Sequence, residues 1–253
     1  MKRLLLILSL LFCTVAFGAT ETINWYVDDN LYTTTTCESG GDITLPTAPT
    51  KYGYTFHGWT DFTPIEYLES TGTQWINPNI QMNQNTKFVF DVTASNITNT
   101  IIIGVGGTND DRLASFRAGG SYSYFSVIRN QTTYTPCNMP IDTNRHIFTM
   151  DIYNNKVQID NCLMNIPKEY PSTGSSYNMY IGVYSTLGSP TTGSFAWAGR
   201  YYNVKFYDSD TLIRDFIPVL DSAGIPCMYD KVEDKFYYNS GTGNFIAGPI
   251  INE

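Results

Sequence analysis

The chemistry open to this chain is bounded first by its carboxylates and histidines. A glycanase built on a β-sandwich needs two carboxyl groups across a cleft, one as acid and one as base or nucleophile. The alternating Glu-x-Asp-x-x-Glu string that would set such a pair on one face of a strand does not occur. Asp110-Asp111, Asp208 with Asp210, and Asp230 with Glu233 and Asp234 all fall in turn-like contexts, which predict solvated caps. Glu66 and Glu69 are three positions apart, so on a strand they point to opposite faces. Of the two histidines, His57 and His146, neither neighbours a Cys or Ser in a nucleophile elbow, and both read as residues at strand ends. The Gly104-Val105-Gly106-Gly107 run is not followed by a helix or a Lys-Ser/Thr pair, so it reads as a strand ending in a turn rather than a phosphate loop. Catalysis is therefore the weaker expectation.

Binding has better material. Sugars are held by aromatic faces against the apolar side of the ring and by planar polar groups at the hydroxyls. Tyr122, Tyr124 and Tyr134, interleaved with Arg117, Arg129, Asn130 and Gln131, supply both types. Trp197 lies in a glycine-flanked segment, residues 193–199, where it could stand at a cleft rim. The candidate ligand-binding set is Tyr122, Tyr124, Arg129, Tyr134 and Trp197, against the competing expectation that a Tyr-rich strand is ordinary packing. No cofactor is expected. Calcium would need turn oxygens such as those of Asn109-Asp110-Asp111 or Asp208-Ser209-Asp210, but no defined loop pattern is present.

These residues must be positioned by strands. Aromatic and charged residues each make up 15% of the chain, and no segment keeps a 3.6-residue apolar period, so long helices are not expected. Strand-like stretches recur at 86–93, 100–105, 112–117, 122–129, 145–153, 156–160, 179–185, 201–207, 212–219, 227–229 and 235–238. The clearest hairpin covers 147–159: Phe148, Met150 and Ile152 alternate, Asn154-Asn155 turns, and Val157 and Ile159 return. Earlier, 23–27 and 31–36 form two strands around Asp28-Asp29-Asn30, and Gly40-Gly41 leads to a short stretch at 43–45. Short strands without helices predict an all-β sandwich or barrel.

The N-terminus predicts export. Lys2 and Arg3 precede an apolar run over 4–12, and Ala16, Gly18 and Ala19 offer small residues for cleavage after Gly18 or Ala19. The run is shorter than the roughly 20 residues that span a bilayer. Bulky Phe12 before Cys13 argues against a lipid-anchored cysteine, and no later segment is apolar enough for a membrane span. The whole chain carries −8, and losing the two basic residues of the signal takes the mature chain to −10. Such an acidic chain argues against nucleic acid or an anionic membrane as partner. Four cysteines remain after processing: Cys37, Cys137, Cys162 and Cys227. An even number in an exported chain permits two disulfides. Cys137 and Cys162 flank the clear hairpin and are the expected pair. Cys37 with Cys227 would tie the two parts of the chain together, with thiols as the alternative.

Two resemblances add to this reading. The run ITLPTAPTKYGYTFHGWT, residues 43–60, is similar to the end of a Listeria–Bacteroides repeat of the internalin B-repeat type. That likeness implies a small β-grasp-like spacer or interaction unit, with Trp59 in its core. The stretches PIEYLESTGTQWI (64–76), YNVKFYDSDTLIRDFIPV (202–219) and MYDKVEDKFYYNSGTGNFIAGP (228–249) resemble the opening, late and final strands of a group of bacterial and phage secreted proteins. These look like concanavalin A-like, or laminin G-like, jelly-roll domains, which implies that the opening and final segments pack as neighbours. The expected organisation is a signal peptide at 1–19, a small β module at 20–62 and an antiparallel jelly-roll β-sandwich at 63–250. The expected role is a secreted, non-catalytic lectin-like or adhesion module whose partner is a glycan or a cell-surface protein. Periplasmic or cell-surface residence are the variants of that location. A jelly-roll glycoside hydrolase and a purely structural surface or phage-type decoration domain are the alternatives.

Overall fold

A computed structural model describes residues 2–4, 19–27, 30–52, 54–56, 61–95, 100–106, 114–118, 126–129, 132–140, 142–167, 177–186, 188–191 and 196–251. The fold is all-β, with antiparallel sheets forming a β-sandwich. Among the described residues the only helical turn is a short 3-10 stretch at Pro136–Asn138. The chain divides into two compact units. One contains Met1–Ile65, Leu220–Ile225 and Pro249–Glu253, and the other contains Glu66–Val219 and Pro226–Gly248.

In the first unit, Thr20–Val27 and Asn30–Glu38 pair antiparallel, close to the two strands read from the sequence. Trp25 and Ile23 are buried there against Tyr26, Val27 and Cys37, and Trp25 Nε1 donates to Thr35 Oγ1 at 2.8 Å. Tyr54–Phe56 pairs in parallel with Lys2–Leu4. Residues 43–45 are irregular: Ile43 and Leu45 are exposed and bury no face that would hold them extended. His57 and Trp59 lie outside the described residues.

The second unit holds the two sheets. The larger runs in the order Cys162–Asn165, Lys156–Ile159, Arg145–Asp151, Thr86–Ala94, Ala198–Asp208, Thr211–Leu220, Pro226–Asp230, Lys235–Tyr237. Leu68–Thr71 pairs with both Ala198–Asp208 and Ile246–Ala247, so the opening and final segments do meet. The expected hairpin forms with Phe148 opposite Ile159 and Met150 opposite Val157, and Asn155 takes the positive φ of 56° in its turn. The smaller sheet runs Thr132–Tyr134, Ser126–Arg129, Ala114–Ala118, Thr100–Gly106, Tyr184–Thr186, Ser189–Thr191, with Tyr180–Ile181 also on Thr100–Gly106. The single strand expected over 179–185 is split because Gly182, at φ 94°, turns the chain between Tyr180–Ile181 and Tyr184–Thr186.

Period-two alternation makes the core. Thr86–Ala94 buries every second residue, and Phe88 and Phe90 pack edge-on or tilted against Phe206. Phe216 extends the cluster from Phe206 to Tyr237. Fully burying each such ring contributes about 1.5–3 kcal/mol by area. The intervening residues of these strands face outward, and that outward face of the larger sheet carries the site described next.

Candidate functional site

Four strands of the larger sheet place six polar and aromatic side chains together on its outer face. On Leu68–Thr71 and the residue before it, Tyr67 and Glu69 are two apart and share a face. On Ala198–Asp208, Arg200 and Tyr202 do the same. The register puts Arg200 opposite Glu69, and Arg200 Nε donates to Glu69 Oε2 at 2.8 Å. On the other side, Arg145 and Asp91 come from adjoining strands, and Arg145 makes a two-pronged pair: Nε to Oδ1 at 2.7 Å and Nη2 to Oδ2 at 2.8 Å.

The rings lie between these pairs. The Arg145 guanidinium carbon sits 3.8 Å from the Tyr202 ring centre, and that of Arg200 sits 4.2 Å from the Tyr67 ring centre. Tyr67 and Tyr202 meet edge-on, 5.8 Å between centres. The result is a continuous row: Asp91, Arg145, Tyr202, Tyr67, Arg200, Glu69. A β-bulge lies beside the row. Between Tyr201 and Asn203 the pairing with Thr86–Ala94 slips by one residue, so Arg200 and Tyr202 before it and Lys205 and Tyr207 after it share the outward face, while Tyr201, Val204 and Phe206 stay buried.

The electrostatics follow from the pairing. The Asp91 hydrogen bonds raise the pKa of Arg145 above its ordinary value, and Glu69 does the same for Arg200. Both arginine side chains remain well exposed, at 51% and 41%, whereas Asp91 and Glu69 are mostly covered, at 19% and 21%. The guanidiniums therefore form the outer layer, each anchored by a carboxylate and spread flat on a tyrosine. Exposed ion pairs contribute about 0–1 kcal/mol and exposed cation–π contacts about 0.5–1 kcal/mol, so the row holds its shape at modest cost to the fold if lost. Further along the same strands, the Lys87 ammonium lies 4.9 Å from the Tyr207 ring centre.

The residues singled out from the sequence fall elsewhere. Arg129 and Tyr134 are brought onto neighbouring strands, with Val127 opposite Tyr134 and Arg129 opposite Thr132, and Tyr134 is half-buried. Tyr122 and Tyr124 lie outside the described residues. Trp197 requires a correction, because it is fully buried and does not stand at a rim. Its amide donates to Gly182 O at 2.7 Å and its carbonyl accepts from Ser70 Oγ at 2.9 Å, so its backbone is held on both sides. Gly199 allows the close approach: a Cβ there would sit 2.7 Å from the indole nitrogen and 2.1 Å from Thr93 O.

The cysteines divide. Cys137 and Cys162 are bonded. Cys37 and Cys227 are thiols, so the second pairing is not made; Cys227 is buried and Cys37 half-buried. The acidic residues of the turns are also more structural than expected. Asp230, read as a solvated cap, is fully buried, accepts from the amides of Asp215 and Val232, and faces Arg214 Nε at 3.5 Å. Burial pushes the Asp215 carboxyl up, but hydrogen bonds from Lys231 and Asn203 outweigh it and leave the group below the usual range. A general acid needs the opposite shift. Among the described residues no three His, Cys, Asp or Glu side chains are grouped to hold a metal ion. Asp110 and Asp111 lie outside those residues.

The row was missed in the sequence because its parts are far apart in the chain. The available signal was the same-face spacing of Tyr67 with Glu69 and Arg200 with Tyr202, each an aromatic two positions from a charge.

No family model matches the chain, and no curated protein matches it. Among solved structures it is similar to one described as a "putative carbohydrate binding protein" from Bacteroides ovatus, at 14% identity and a TM-score of 0.47, covering 94% of this chain and 72% of that one.

Proposed function

We propose that the protein is an exported, non-catalytic binding module that takes an uncharged glycan on the outer face of its larger sheet. The observation that carries this reading is the row of Tyr67, Tyr202, Arg145 and Arg200, with Asp91 and Glu69 behind it. A pyranose offers an apolar ring face and a rim of hydroxyls. Flat guanidinium and phenol surfaces match the first, and the outward N–H and O–H groups match the second. Charge balance selects the class. Each arginine is already paired with a carboxylate, so the row has no spare positive charge for an acidic polymer, and the chain is net negative.

The same reading takes the sandwich as a concanavalin A-like domain, the residues before it as a spacer module, and residues 1–19 as a signal removed on export. The Cys137–Cys162 disulfide is compatible with an oxidising compartment, and no helix among the described residues is long and apolar enough to cross a membrane.

A glycan array probed with the mature chain tests the proposal, with reducing-sugar release measured on every hit. Binding to neutral glycans is expected, weakened tenfold or more by Tyr67→Ala or Tyr202→Ala, with no release. Binding that survives both substitutions would move the site elsewhere, and sugar release would replace the module by an enzyme.

A further inference from the structure

The connection between the two sheets of the sandwich contains a second arrangement of titratable groups. Residues 135–144 carry the chain from Thr132–Tyr134, at the edge of the smaller sheet, to Arg145–Asp151 in the larger one. This crossover is held twice: once by the Cys137–Cys162 disulfide and once by His146. The His146 ring lies between two carboxylates, with Nε2 2.8 Å from Asp142 Oδ1 and Nδ1 2.7 Å from Asp160 Oδ2.

Hydrogen-bond arithmetic then fixes the state of the ring. Both partners are acceptors. Asp142 also takes the amide and side-chain amide of Asn144 at 2.7 and 2.8 Å, and Asp160 takes the amide of Ile147 at 2.8 Å. A neutral imidazole has one N–H and can satisfy only one of them, whereas an imidazolium has two. With a neutral ring, one unprotonated nitrogen would face a carboxylate oxygen at 2.7 or 2.8 Å, acceptor against acceptor, and the contacts leave no room for a water between them.

We propose that His146 is a pH-sensitive latch on this crossover, closed while the imidazole carries both protons and released when it loses one. Asp142 faces the ring from the crossover and Asp160 from the turn that follows the return strand of the hairpin. On its own strand, Arg145 points to the opposite sheet face and is held by Asp91. Val92, its partner on the adjoining strand, is uncharged, and the Phe148 ring lies edge-on to it. Burial disfavours the charged ring, but hydrogen bonds to Asp160 and Asp142 outweigh it and raise the group above its ordinary value. For a raised histidine, the stabilisation is complete below the unfolded value of about 6.5 and is lost as pH rises through the folded one. The latch therefore opens on the alkaline side. What it frees is the crossover leading into Thr132–Tyr134, which pairs with the strand bearing Arg129.

Imidazole NMR on the mature chain with its disulfide intact, in a His57→Gln background, provides the test. Both ring nitrogens should be protonated at neutral pH, with a titration midpoint above the ordinary histidine value, and Asp160→Asn should lower that midpoint. The melting temperature should fall as pH rises through the midpoint, and this component should vanish in His146→Gln. A midpoint at or below the ordinary value, or an unchanged slope of melting temperature against pH in His146→Gln, would overturn the latch. If His146→Gln fails to fold, the midpoint and its shift in Asp160→Asn decide alone.

Discussion

The two faces of the larger sheet use similar residues for opposite purposes. Along Ala198–Asp208, Tyr201, Val204 and Phe206 point inward and are fully buried, while Arg200, Tyr202, Lys205 and Tyr207 point outward and stay half-exposed. An inward ring is worth what its burial contributes to the fold. An outward ring backed by a charge contributes little to the fold and presents a surface. Tyr201 and Tyr202 are adjacent, yet one belongs to the core and the other to the row with Arg145. Aromatic content alone does not distinguish structure from function; orientation does.

The comparison breaks most readily at its inner side. Phe206→Ala removes a ring packed against Phe88, Phe90 and Phe216 and should cost about 3–5 kcal/mol, read by chemical denaturation. A cost below about 1 kcal/mol would mean that the inner face is not the close-packed one. Next in size is the covalent tie. Reducing Cys137–Cys162, which closes a loop of sequence separation 25, should cost about 3 kcal/mol in denaturation under matched conditions.

The outer face should respond differently. Tyr202→Ala should cost no more than about 1.5 kcal/mol in stability while weakening glycan binding tenfold or more. Equal losses in both measurements would place Tyr202 with the core residues and erase the distinction between the faces. The smallest expected effect is acid sensitivity at Asp215. Its folded value is depressed, so its stabilisation is present above the unfolded value of about 3.8 and is lost as pH falls through the folded one. Lys231→Met removes the partner 2.8 Å away, so it should lower stability above the unfolded value and shrink the part lost on acidification, visible as a flatter dependence of stability on pH with little change once Asp215 is protonated.

Legibility in the sequence followed the range of the interactions. The hairpin over 147–159 could be read because alternation and an Asn-Asn turn are local, and its register came out as the pattern implied. The glycine neighbours of Trp197 suggest a rim position in the sequence. One of them, Gly199, instead lets the indole pack close beneath the strand that follows. Asp230 looked like a surface cap because nothing in a turn sequence reveals that Arg214 and the amides of Asp215 and Val232 converge on it.

By itself, then, the sequence determined the class of the fold and the expected disulfide. Period-two patterning, turn chemistry and composition act over a few residues and can be read in order along the chain. Only the tertiary structure decided which polar and aromatic residues form a surface. Glu69, Asp91, Arg145 and Arg200 come from four strands, and their meeting depends on strand order and on register. A slip of one position in that register would exchange the faces, because successive side chains on a strand point in opposite directions.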